Sequence, residues 1–143
     1  MKTFSAKPND VVRKWYVVDA SENNLGRVAT QVAKLLMGKD KPSYTRHIDV
    51  GDFVIVVNAG NIQVTGGKET KKIYYKHSDF PGGLRATQLK DMDQLKVIHK
   101  AVYGMLPVNK LRDERLKRLK IYLGNEHNHA AQSPVNYSVK DNK

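Results

Sequence analysis

Residues 53–59 read FVIVVNA, a stretch that opens on five consecutive apolar residues, four of them β-branched. Side chains of a strand alternate between two faces, and here both faces are apolar, so the strand has no side to offer to water. Such a run belongs inside a sheet covered on both faces, the setting of parallel strands in α/β folds. WYVVDA (15–20) is a second run of the same kind, broken only by Asp19 near its end. Between the two lies LGRVATQVAKLLMG, where Leu25, Val28, Val32, Leu35 and Leu36 recur at helical spacing and Gly38 supplies a C-terminal stop. Strand, helix, strand in that order predicts a parallel crossover unit.

The rest of the chain continues the alternation. NIQVTGG (61–67) is expected to form a short strand, with its paired glycines at positive φ in a hairpin-type turn, and KKIYYKH (71–77) a further strand before a Pro-Gly-Gly loop. Leu95, Ile98, Val102 and Met105 mark a second amphipathic helix, capped by Asp93 and ended before Pro107. Leu111, Leu116 and Leu119 mark a shorter basic helix, KLRDERLKRLK, that leads into a last strand at IYL (121–123). At 143 residues with no composition break, the chain is read as one α/β domain: a core at about 15–123, an N-terminal arm at 1–14 and a C-terminal arm at 124–143.

Several function classes drop out at this level. With no cysteine there is no disulfide, thiolate metal site or cysteine nucleophile, which suits a reducing cytosolic compartment. No window approaches the ~20 apolar residues of a membrane span, and MKTFSAKPND has too short an apolar stretch for a signal peptide, so a soluble cytosolic protein is expected. TGGKE (65–69) fails the phosphate-loop pattern, with Ile62 where a glycine is needed and Glu69 where Ser or Thr is needed. NNLGRVAT lacks the GxGxxG spacing of a dinucleotide site, although its strand-to-helix turn suits a phosphate of a larger polymer. His127 and His129 share a face of an extended segment beside Glu126, yet no clear third metal ligand lies near in sequence. Asp49 and Asp52 flank Gly51 as turn and cap residues, and no serine stands in a nucleophile-elbow context. No active site is evident, and no cofactor or small-molecule substrate is expected.

Charge points elsewhere. Lys and Arg number 25 against 14 Asp and Glu, a net charge of +11 and a pI near 9.8, the electrostatic footprint of nucleic-acid binding. Residues 110–122 carry six bases against Asp113 and Glu114, and the reading turns the leucines inward and the bases out. In KKIYYKHSDFPGG (71–83), lysines supply charge, one of Tyr74 and Tyr75 enters the core while the other is free to stack, and the paired glycines admit a phosphate. Bases scattered over loops fit structured RNA better than a membrane surface, which favours a basic amphipathic helix with an apolar face toward lipid.

Taken with their order and spacing, LGRVATQVAKLLMGKDKPSYTRHIDVGDFVIVVNA, VTGGK, YYKHSDFPGG, AVYGMLPVNKL and KIYLGNEHNHAAQ resemble the bacterial-type ribosomal protein L-thirteen family over roughly Trp15 to Pro134. The resemblance implies a three-layer α/β/α domain with a small, mostly parallel four-stranded sheet, extended loops and terminal arms. It also implies a non-catalytic constituent of the large ribosomal subunit, in the cytoplasm, that binds large-subunit rRNA early in assembly beside neighbouring subunit proteins. Asn128 departs from the family's usual proline, and the segment between Gly83 and Ala101 is somewhat short. On this reading Arg27, Lys39, Lys41, Arg46, Lys68, Lys71, Lys72, Lys76, Arg85, Lys110, Arg112, Arg115, Lys117 and Arg118 contact phosphates, and Tyr75, His77, His127 and His129 stack or hydrogen-bond to RNA.

Overall fold

The computed structural model describes residues 4–139; the outermost parts of both expected arms, residues 1–3 and 140–143, lie outside the described residues. The opening unit forms as its pattern predicts. Strand β1 is Trp15–Asp19, helix α1 is Leu25–Met37 and strand β2 is Phe53–Val57, and β1 pairs with β2 in parallel from Trp15↔Phe53 to Asp19↔Val57. Gly38 closes α1 at φ 73°, its N–H donating to the Leu35 carbonyl and the Lys39 N–H to that of Lys34, a Schellman ending.

Beyond β2 the order is a short helix α2 (Lys68–Lys71), strands β3 (Ile73–His77) and β4 (Leu84–Gln88), helices α3 (Gln94–Met105) and α4 (Leu111–Lys117), and strands β5 (Leu119–Ile121) and β6 (Val135–Asn136). The main sheet runs β5-β2-β1-β6, all its pairs parallel, and β3 and β4 form a separate antiparallel ribbon. Asp93 caps α3 as expected, its Oδ1 accepting from the Leu95 N–H at 3.2 Å.

One face of the sheet carries Val18, Val54, Val56 and Leu119, all buried against Val28, Val32 and Leu36 of α1 and Ile98 and Val102 of α3. The opposite face carries Trp15 and Phe53, their rings stacked at 4.2 Å, and the chain after β5 lies against it, with His129 4.9 Å from the Trp15 ring. The cover on this side is irregular chain with a 3-10 turn at Ala130–Gln132. β2 is therefore enclosed on both sides: Val54, Ile55 and Val56 are wholly buried.

Three expectations change. NIQVTGG forms no strand, because it finds a partner at one bridge only, Gln63 with Asn24; Gly66 and Gly67 do adopt positive φ, but they turn the chain into α2 and not into a hairpin. The last core strand sits at 119–121, two residues earlier than read, since Leu119 and Ile121 are the side chains that reach the helical face. The C-terminal segment supplies β6, which pairs with β1 at Tyr16↔Val135 and Val17↔Asn136, and Tyr137 packs edge-on to Tyr16.

Asp49 and Asp52, read as turn residues, anchor a buried ion network. Arg118 forks onto Asp49, with Nη1 donating to Oδ2 and Nη2 to Oδ1 at 2.7 Å, while Nη2 also donates to the Leu36 carbonyl at 3.1 Å and Nε to that of Asp52 at 3.3 Å. Lys41 Nζ donates to Asp52 Oδ1 at 2.7 Å and to the carbonyls of Val12 and Val50, each at 2.9 Å. Between these acids Gly51 passes so close to α1 that a Cβ would lie 1.7 Å from the Leu36 oxygen. Removing one partner of a buried, hydrogen-bonded pair strands the other charge, so Asp49→Ala is expected to lower unfolding free energy by about 3–5 kcal/mol in urea titrations.

Asp19 ends β1 in a second polar knot: Oδ1 accepts from the Ser21 N–H and hydroxyl at 2.8 and 2.7 Å, and Oδ2 from Asn58 Nδ2 at 2.8 Å. Burial pushes its pKa up, but these hydrogen bonds outweigh burial and hold it below the ordinary value. A depressed folded-state pKa stabilises the fold above the unfolded-state value of about 3.9, and that contribution fades as pH falls through the folded value. Thermal unfolding across pH should therefore show Asp19→Asn less stable than the parent at neutral pH, with the gap closing in the acid range.

Candidate nucleic-acid interface

Helix α1 begins at Asn24, and the Leu25 N–H donates to the Gln63 carbonyl at 2.9 Å, which brings the 63–65 segment beside the helix start. The positive-φ glycines then reverse the chain into α2, and Lys72 passes into β3, held by the Leu89 N–H donating to its carbonyl at 3.0 Å. Tyr74 is the residue of β3 that turns toward α3. Its ring lies 4.7 Å from Lys100 Nζ and 5.5 Å from Lys72 Nζ, two cation–π contacts, and burial holds its hydroxyl above the ordinary pKa. These elements enclose a cavity of about 470 Å³, walled by the α1 start, residues 63–65, α2, β3 and α3. Its lining includes Lys68, Lys71, Lys72 and Lys100 and, among the described residues, no carboxylate.

Lys71 and Lys72, grouped by the sequence reading, are thus joined by Lys68 of the preceding turn, beside the Asn24–Gly26 turn that precedes Arg27. Arg27 is exposed in the first turn of α1. The ribbon divides the remaining members of KKIYYKHSDFPGG (71–83). Lys76 opposes Arg85 on the face shared with Tyr74, whereas Tyr75 opposes Ala86 and His77 opposes Leu84 on the reverse face. Tyr75 is 64% exposed and Tyr74 half-buried, as the alternation predicts, so one ring packs and the other is free to stack. The Pro-Gly-Gly loop uses its glycines for its own turn: Gly82 has φ 73°, and a Cβ at Gly83 would lie 2.9 Å from the Phe80 oxygen.

Three expected phosphate contacts are corrected here. Arg115 and Arg118, read as pointing outward, are 1% and 7% exposed. Arg118 is saturated by Asp49 and backbone carbonyls, and Arg115 Nε lies 3.7 Å from Asp49 Oδ1, with Nε and Nη1 finding no hydrogen-bond partner among the described residues. Lys41 is held inward by its three acceptors. Helical phase is the physical reason for the first two: Leu111, Arg115 and Arg118 are spaced i, i+4, i+7, so they share one stripe. That spacing was present in the sequence, and the two arginines occupy the buried face that leucines alone were expected to fill.

The remaining bases are dispersed. Lys39 and Arg46 are exposed between α1 and β2, and Lys110 is exposed ahead of α4. Lys117 pairs with Glu114 at 2.7 Å, and this hydrogen bond and charge raise its pKa. Arg112 donates to the carbonyls of Pro107 and Leu106 and lies 4.2 Å over the Tyr103 ring. His127 and His129 sit half-buried among Trp15 and Tyr122, so both pack on the sheet rather than standing free. Lys100 and Tyr74 are the members of the lysine cavity that sequence reasoning missed as ligand-facing groups. The signal for Lys100 was weak, since it is one of several polar positions on α3 and only the fold brings it opposite α2.

The family described as Ribosomal protein L13 matches residues 13–128. The chain belongs to that family. It is 54% identical over 143 residues to the large ribosomal subunit protein uL13 of Herpetosiphon aurantiacus, covering 98% of this chain and 99% of the relative. Against the protein of the same name from Chlorobium phaeobacteroides it is 54% identical over 141 residues, with 96% and 94% covered, and against that of Moorella thermoacetica 50% identical over 145 residues, with 99% and 100% covered. This is a family of ribosomal proteins and not of enzymes, in keeping with a sequence that offers no nucleophile, acid/base pair or cofactor loop.

The two adjacent tyrosines separate packing from exposure. Tyr75→Ala should change unfolding free energy by no more than about 0.5 kcal/mol, while Tyr74→Ala should lower it by about 1 kcal/mol or more, both read by urea denaturation.

Proposed function

We propose that this chain is a structural constituent of the large ribosomal subunit on cytoplasmic ribosomes, where it binds large-subunit rRNA and packs beside neighbouring subunit proteins. The observation that carries the reading is the gathering of Lys68, Lys71, Lys72 and Lys100 about one cavity without a carboxylate in its wall, in a family named for the ribosome. Phosphate contacts fall to these lysines together with Arg27, Lys39, Arg46, Lys76, Arg85, Lys110, Arg112 and Lys117, and Tyr75 with His77 offers a stacking face on the reverse of the ribbon. Entry early in assembly follows from the family resemblance, and a single domain with its own core is suited to meet rRNA before later proteins cover it.

An anionic membrane fits less well. The basic helix α4 turns its inner stripe into the core, so it has no apolar face to lay on lipid, and no helix among the described residues is long and apolar enough to cross a bilayer.

Binding of the purified chain to in vitro transcribed large-subunit rRNA, against unrelated structured RNA of equal length across a salt series, tests the proposal. The rRNA should keep a clear advantage at physiological salt, and Lys71→Ala and Lys72→Ala should each reduce the log–log salt slope by about 0.7–0.9. Equal affinity for both RNAs, or a complex insensitive to salt, would overturn it.

A further inference from the structure

Two glycines in the cavity wall have no role in the chain's own packing. Gly26 lies in the first turn of α1 and Gly104 in the last turn of α3; neither has positive φ, and a Cβ built on either would meet nothing within 4 Å. Glycine is the poorest helix former apart from proline, so each position weakens its helix with no gain in internal fit. The contrast with Gly51, where the Leu36 oxygen leaves no room for a side chain, is direct. Both glycines line the cavity, one from α1 and the other from α3.

The charges of this cavity are likewise without an acid partner among the described residues. None of Lys68, Lys71, Lys72 or Lys100 forms an ion pair among the described residues, and the Tyr74 ring holds two of them by its π face instead of a carboxylate. The same cavity is also lined by the apolar side chains of Leu25, Leu89, Ala101 and Met105, which form its apolar floor in the reading that follows. Inorganic phosphate would use the lysines and leave that floor wet. A group that uses both carries an anionic end and a flat apolar body, and the cavity's 470 Å³ lies within the ~300–1,000 Å³ typical of pockets for such molecules.

We infer that this cavity receives one nucleotide unit turned out of the bound RNA strand, its phosphate among the lysines and its base on the apolar floor, with Gly26 and Gly104 giving the room to enter. The inference rests on the RNA-binding reading above and adds to it a place and a mode of recognition: an unstacked nucleotide read by enclosure, not by the groove of a duplex.

Base-modification footprinting of full-length large-subunit rRNA with the full chain tests it. The parent should shield an unpaired nucleotide that Gly104→Leu, which adds a bulky side chain at the cavity wall, returns to full reactivity while the remaining footprint persists; affinity should fall about tenfold. Gly104→Ala should raise Tm by about 2–4 °C, a readout that checks folding and shows the glycine to be dispensable to the fold. Gly26→Leu, from the facing wall, should repeat the footprint change. If the parent discriminates rRNA from unrelated RNA but both leucine variants keep affinity and protection, the cavity inference fails and the RNA-binding reading survives. If the parent itself does not discriminate, both fail. Saturable binding of free nucleoside monophosphate that Gly104→Leu abolishes, with an unchanged RNA footprint, would assign the cavity to a free nucleotide and overturn the strand-derived unit.

Discussion

The fork of Arg118 onto Asp49 is the contact on which the rest of the domain depends. It joins residues 69 apart in sequence, and the same guanidinium reaches the Leu36 carbonyl in the last turn of α1 and the Asp52 carbonyl at the entrance to β2. The last carbonyls of a helix lack intrahelical donors, and a cation placed there also meets the negative end of the helix dipole. One side chain therefore sets the end of α1, the start of the central strand and the start of β5 relative to one another. Lys41 on Asp52 fixes the same loop from the other side, and Gly51 lets the backbone approach closely enough for both.

What was legible in the sequence was whatever a local pattern could specify. The enclosed run of β2, the helical stripe of α1 with its glycine stop, and the Asp93 cap are each fixed by side chains a few residues apart, and each forms as read. Elements defined by distant partners were not legible. LRATQ at β4 becomes a strand because β3 lies beside it, and Val135–Asn136 becomes one because β1 leaves an edge open. NIQVTGG shows the converse, a strand-like alternation that stays irregular for want of a neighbour.

The distribution of the bases was only partly legible. A net charge of +11 is the electrostatic footprint expected of a polyanion binder, but it does not distinguish bases held inward by carboxylates from bases left to solvent. Arg115, Arg118 and Lys41 belong to the first group because Asp49 and Asp52 fold back onto them; helical phase put both arginines on the inner stripe of α4, but the acid that meets them there comes from a distant segment of the chain. Lysines 68, 71 and 72 belong to the second, and the fold adds Lys100 from a helix nearly thirty residues downstream.

The position of β6 bears on the order in which the chain can mature. β1 lies between β2 and β6, and residues 135–136 that complete its far side are synthesised after every other strand of the sheet. While the chain is being made, β1 can therefore pair with β2, but its other row of backbone N–H and C=O groups stays open, an edge of the kind that recruits foreign strands. Closure must wait for β6, the last strand of the sheet in chain order, so residues 135–136 act as a built-in stopper, and without them β1 would be left as an unsealed edge of the sheet.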